Sequence, residues 1–419
     1  MKKIIIGFLT VFISLNFIHA QEVLQNKINN DKIKTVLMYA GNDELSNPVW
    51  DLRSSKVLTL TFDDLDAGVK DYYYTIIHCN ADWTPSNLDP SEYIDGYFED
   101  QVPEYQSSFN TTVSYTHYSL QIPNDYMRPT KSGNYVIQIF ESANPENITF
   151  IKRFMVVERK TDIQIKVSNM NQGAYFYNDQ ELEIVVDYFE NEFYDITQNL
   201  KLYVLKNRNW IQSLVLTQPD LIRDNEFTFN DFTKLKFKGG NEFHHFNINN
   251  INYTSENIKN ISFVDNMYHF QLKQNGDKTF EDYRYKPDIN GLFKVDVTRS
   301  EFPATEADYA YVYFTLNMDA PMQQSDIYVW GALTNYNFVP DNKLRYNFEQ
   351  KAYEGRLLLK QGYYNYQYVL MEKDKPDFTY IEGNHAQTEN AYTVLVYYHD
   401  FRGNYDRLIG ETEITTSQR

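Results

Sequence analysis

The chain has 419 residues, 57 of them acidic against 39 basic, for a formal net charge of −18, with one cysteine, 36 tyrosines and 28 phenylalanines. So acidic a chain disfavours nucleic acid and anionic membrane surfaces as partners. A lone thiol excludes an internal disulfide and any cysteine-built metal or iron–sulfur cluster.

The first residues read as an export signal. Met1-Lys2-Lys3 is a positive start, Ile4 to Ile18 is mostly apolar, and Ala20 is a small exit residue before Gln21. This order is that of a secretory signal peptide. The apolar run is shorter than the roughly 20 residues a spanning helix requires. Cleavage between Ala20 and Gln21 removes two lysines and no acids, taking the net charge from −18 to −20. The expectation is a soluble mature protein outside the cytoplasm, without a lipid anchor or membrane insertion.

Downstream, period-two alternation dominates. Leu58, Leu60 and Phe62 share one face of 57–62, with Thr59 and Thr61 on the other. Segments 163–167, 182–187, 135–140 and 311–316 alternate in the same way. This is the pattern of strands with one buried and one solvated face. Turn residues such as Asp66-Ala67-Gly68 and Lys238-Gly239-Gly240-Asn241 punctuate them. The only helical signal is a short turn near Ser86 to Tyr93. Aromatic and β-branched residues suit pleated, half-buried surfaces.

The predicted fold class is therefore all-β: three consecutive immunoglobulin-like β-sandwich domains after a cleaved signal peptide. The expected boundaries are 1–20 for the signal, 28–158, 162–297 and 308–408 for the domains, and 409–419 for a flexible tail. Residues 158–162 and 300–307 read as polar connectors. The third unit resembles an immunoglobulin-like domain of the starch- and glycogen-binding kind. There a loop carries stacking aromatics, and here that loop offers Tyr336 and Phe338.

Few constellations carry chemistry. His78 and Cys79 are adjacent strand residues and point to opposite faces, so they do not converge on one ion. The same holds for His244 and His245. The segment 381–390 places His385 between Glu382 and Glu389. A general acid–base dyad would require hydrogen-bond contact and a pocket. A turn held by Thr388 and Asn390 accounts for the same residues. Glu382, His385, Glu389, Tyr336 and Phe338 together form a candidate interaction loop. No catalytic, cofactor-binding or metal-binding set is expected.

Segments 71–83 (DYYYTIIHCNADW), 110–118 (NTTVSYTHY) and 382–392 (EGNHAQTENAY) together resemble the plug proteins of the type IX secretion system of Bacteroidota. The resemblance runs over essentially the whole mature chain. It implies a non-catalytic periplasmic protein, a monomer when free, docked against the periplasmic mouth of the outer-membrane translocon barrel and sealing it when no cargo is present. It carries no catalytic residues and no cofactor. The alternatives are a carbohydrate-binding protein using the C-terminal domain, and a hydrolase using His385 with Glu382 or Glu389.

Overall fold

Alternating sequence becomes strand along nearly the whole chain, described by a computed structural model over residues 22–168, 178–189, 193 and 195–416. The signal segment with Ala20 and Gln21, and residues 417–419 of the expected tail, lie outside the described residues.

Three pairs of facing sheets each enclose a core. In the first unit, one sheet orders the strands Lys27–Ile28, Ile148–Val157, Gly133–Glu141, Tyr72–Cys79 and Asp100–Gln101. The opposing sheet orders Ile33–Ala40, Leu58–Asp64, Thr116–Ile122 and Glu104–Ser107. Leu60, Phe62, Tyr74, Ile137 and Phe150 meet between them. Each buried side chain of this size stabilises the fold by roughly 1.5–3 kcal/mol. The helical turn expected near residue 90 is Pro90–Tyr93, where Asp89 and Glu92 form a capping box.

The second and third units are nested rather than consecutive. The second unit has one sheet of Thr161–Ser168, Asp179–Tyr188, Glu226–Phe229 and Leu221–Arg223. Its other sheet is Asn209–Leu216, Leu200–Lys206, Ala391–Asp400 and Tyr405–Thr415. Leu202 lies opposite Val396, across nearly 200 residues of sequence. The strands between Lys236–Lys238 and Ala391–Asp400 build a separate, inserted unit. In it, Gly362–Glu372 pairs with His244–Asn247, Phe293–Val295 and Ser325–Trp330. The facing sheet pairs Met267–Leu272, Tyr309–Asn317 and Ala352–Lys360.

Strand pairing thus cuts across the boundaries drawn at 297 and 308. It also removes most of the flexible tail, since Tyr405–Thr415 is an edge strand and Ile409 is fully buried in the core. Alternation identifies a strand and its buried face. It carries no information on which distant strand completes the sheet.

Two further expectations change. Thr59 and Thr61 are 9% and 7% exposed, so their face of the strand is not solvated. On the same face, Asp63 contacts Lys360 and Tyr309 of the inserted unit. The connectors at 158–162 and 300–307 are not free linkers either. The Glu158 and Lys160 amides donate to Leu408 and Ile409, and Pro303–Glu306 forms a helical turn against the first unit.

Candidate functional site

The three segments that carry the family resemblance fall at the three joints between units. The first joint fuses the Tyr72–Cys79 sheet to the second unit. Cys79, Ala81, Trp83, Val136 and Val157 pack against Leu205, Leu395, Tyr397 and Leu408. Trp83 meets Trp210 edge-on at 5.0 Å, and the Arg153 guanidinium lies 4.2 Å above the Trp83 ring. The Tyr397 hydroxyl donates to Asn134 Oδ1 at 2.7 Å. The Asp406 carboxylate accepts from the Ala81 amide at 3.1 Å and from Lys201 at 3.0 Å. Arg407 holds Glu158 through two bonds of 2.7 and 2.8 Å.

His78 and Cys79 do point apart. The His78 ring packs on Tyr135 and Tyr405, while Cys79 sits in the apolar joint, where burial pushes its thiol up to about 12. A thiol so placed is an inert packing group.

The second joint ties the first unit to the insert. The amides of Thr112 and Val113 and the Thr112 hydroxyl donate to the Asp308 carboxylate at 2.8, 3.1 and 2.7 Å. The Tyr115 hydroxyl donates to the Ala307 carbonyl at 2.8 Å. Beside it, Asp63 is wholly buried and accepts from Lys360, Tyr309 and His117, each at 2.6 Å. Burial alone would push the Asp63 carboxyl up. The Lys360 ammonium and His117 ring outweigh it and hold the group below the ordinary carboxylate range.

The third joint is the neck of the insert, where the chain enters at 239–243 and leaves at 381–391. The two passes run side by side. The His385 amide donates to the Gly240 carbonyl at 2.8 Å, and the Gly240 amide donates to Asn384 Oδ1 at 2.9 Å. Thr388 Oγ1 and Asn390 Nδ2 donate to the carbonyls of Gly240 and Gly239, both at 2.9 Å.

Glu382 is buried and accepts from His244 Nε2 and Lys278 Nζ, both at 3.0 Å, and from the Tyr368 amide at 2.8 Å. Burial opposes its charge, but the His244 and Lys278 contacts outweigh that and hold it well below the ordinary carboxylate range. Glu382 therefore serves His244 rather than His385. The Glu389 amide donates to Glu242 at 3.1 Å, and burial raises the Glu242 carboxyl to about 7. A cavity of about 150 Å³ opens beside the neck, lined by Glu242, His244 and Lys278. His385 is half-buried, and its Nε2 has no hydrogen-bond partner among the described residues.

Tyr336 and Phe338 lie elsewhere, packed edge-on against Trp330 at 5.0 Å and Tyr328 at 5.2 Å. The five candidate residues are therefore not brought together. Asp63, Lys360, Asp308 and Trp210, all joint residues, escaped the sequence reading. Their signal is faint: Asp63 and Lys360 are charges near strand ends, each following a run of apolar residues or of alternating apolar residues and threonines.

The neck has a steric test. A methyl group on Gly239 would lie 2.0 Å from the His385 carbonyl oxygen. Gly239→Ala is expected to destabilise the protein by about 1–3 kcal/mol through overpacking, read from its urea midpoint. An unchanged midpoint would contradict the closely paired neck.

Residues 33–158 match the family model for the first domain of type 9 secretion system plug proteins. The crystal structure of a hypothetical protein from Parabacteroides merdae ATCC 43184 is similar to the chain at 33% identity with a TM-score of 0.90, covering 94% of this chain and all of that one. The chain belongs to the type 9 secretion system plug family. A comparison with curated proteins gives no match. For this plug family member, family and all-β fold agree with a non-enzymatic role in association with a secretion system component. Among the described residues no group of three or more His, Cys, Asp or Glu could hold a metal ion, and no helix is long and apolar enough to cross a membrane.

Proposed function

We propose that this protein is a non-catalytic periplasmic plug, which binds the periplasmic opening of the type IX outer-membrane translocon barrel and occludes it when no cargo is present. The observation that carries this reading is the set of three joints, each locked by buried polar bonds or packed aromatics. Joints of this kind turn three sandwiches into one stiff body, and a stopper works by holding its shape against a pore. Its mechanism is competition: binding keeps the pore closed, and cargo or a second partner displaces the plug. Its acidic character, with exposed tyrosines such as Tyr97, Tyr105 and Tyr126, suits a contact that holds and releases.

Purification of the tagged translocon barrel from outer membranes of cells not secreting cargo is expected to recover this protein in stoichiometric amounts. Deletion of its gene is expected to admit large antibiotics normally excluded by the outer membrane. Absence from the purified barrel, together with unchanged permeability, would overturn the reading.

A further inference from the structure

A cavity larger than the one at the neck borders the second joint, whose Lys360 forms part of its lining. It is a cleft of about 630 Å³ between the first unit and the insert. Its size falls in the range of sites that engulf a ligand.

One wall is an unpaired sheet edge. Ala352–Lys360 pairs along its whole length with Tyr309–Asn317. On its other side, Arg345–Asn347 pairs only with Ala352, Tyr353 and Glu354. From Arg356 onward that side has no strand partner among the described residues, and Arg356 to Lys360 line the cleft. The Lys360 carbonyl is engaged by the Tyr364 hydroxyl, which closes one end of the open edge. The opposite wall, at Ile33 to Thr35, is also an edge strand of its sheet. Its Ile33 amide is already bonded to the Asn30 carbonyl. Beyond Glu354 the outer side of the Ala352–Lys360 strand has the turn Pro340–Asn342 beside it and no paired strand among the described residues, so the stretch Arg356–Leu359 is the candidate for an added strand. Soluble proteins normally cover or charge such an edge, because it is a template for another strand.

The rim selects by charge. Lys32, Lys34 and Arg356 face the cleft against Asp31 and Asp341. None of these three cations has a carboxylate within ion-pair distance among the described residues. Arg356 instead lies 4.4 Å over the Tyr311 ring and donates to the Tyr313 hydroxyl at 3.4 Å. In a chain of net charge −18 this is a local positive excess. Leu357, Leu359 and Phe293 supply apolar contacts for alternate side chains.

We propose that this cleft takes an extended acidic segment of a partner protein, added as a strand on Arg356–Leu359 in line with Arg345–Asn347. Backbone bonds would hold the strand, and Lys32, Lys34 and Arg356 would select its carboxylates. This inference stands on the cleft and does not depend on the plug reading.

The test uses the full mature protein and a fluorescein-labelled octapeptide, Thr-Glu-Val-Glu-Thr-Glu-Val-Glu, followed by fluorescence anisotropy. Saturable binding is expected. It should weaken at least tenfold with the Lys-for-Glu peptide, with a peptide N-methylated at alternate residues, and with the Lys34→Glu/Arg356→Glu variant. Hydrogen exchange should slow at Arg356–Leu359 when peptide is bound. Circular dichroism of the variant at the assay temperature verifies its fold; should it be unfolded, Arg356→Gln carries the charge test with the same expected direction. Four outcomes would overturn the proposal: no binding of the acidic peptide, equal binding of the N-methylated peptide, protection elsewhere, or a concentration-dependent dimer whose interface protects Arg356–Leu359 without peptide.

Discussion

Lys360→Met is expected to destabilise the protein by about 3–5 kcal/mol, because it leaves the Asp63 carboxylate buried without its cation. Both side chains are 1% exposed or less, so water cannot take the ammonium's place. Among the described residues, only Tyr309 and His117 would still bond the carboxylate. Asp63→Asn combined with Lys360→Met keeps an acceptor for Tyr309 and removes the stranded charge. That double variant should recover at least half of the loss.

The pH dependence follows from the sign of the shift. In the parent protein the folded Asp63 pKa is depressed. Its contribution is therefore complete above the unfolded value near 3.9 and is lost as pH falls through the lower folded value. In Lys360→Met, burial dominates and the shift reverses, so acid relieves the variant. The gap between parent and variant should thus narrow as the pH falls toward 4. Urea midpoints at several pH values decide this. A Lys360→Met protein with a parental midpoint at pH 7 would show that the pair does not secure the joint.

Glu382→Leu is expected to cost roughly 3 kcal/mol, since the Tyr368 amide and the His244 ring each lose an acceptor in a buried setting. Glu382→Gln keeps one oxygen acceptor and should cost about 1–2 kcal/mol. Because Glu382 lies in the neck, the loss should be local as well as global. Limited proteolysis of Glu382→Leu should cut within 381–391 or 276–291 before the first unit is attacked. The same fragments at the same rate from both proteins would mean that Glu382 does not hold the neck closed.

Particular residues show how far the sequence could be read. Leu182, Ile184 and Val186 alternate with Glu183, Val185 and Asp187 and are all buried in the second core. The pair His78–Cys79 diverges as adjacent strand residues must. Asn390 and Thr388 were legible as turn-holding groups, and they bond the neck. The partner of each was not. Thr388 meets Gly240 across 148 residues, and Lys360 meets Asp63 across 297. No local pattern encodes such a distance.

The chain's own order of residues determined its strands, its all-β class, the inward side of most strands and its acidic character, because each depends on side-chain type and a two-residue period. Tertiary structure alone decided that one sandwich is inserted into another and that Tyr405–Thr415 completes a sheet rather than trailing as a tail. It also placed 79–83, 110–118 and 382–392, which carry the family resemblance, at the joints between units. The physical reason is that strand pairing and the burial of charge depend on surfaces brought together from distant parts of the chain. A lysine at a strand end reads as solvated until the fold places a carboxylate against it.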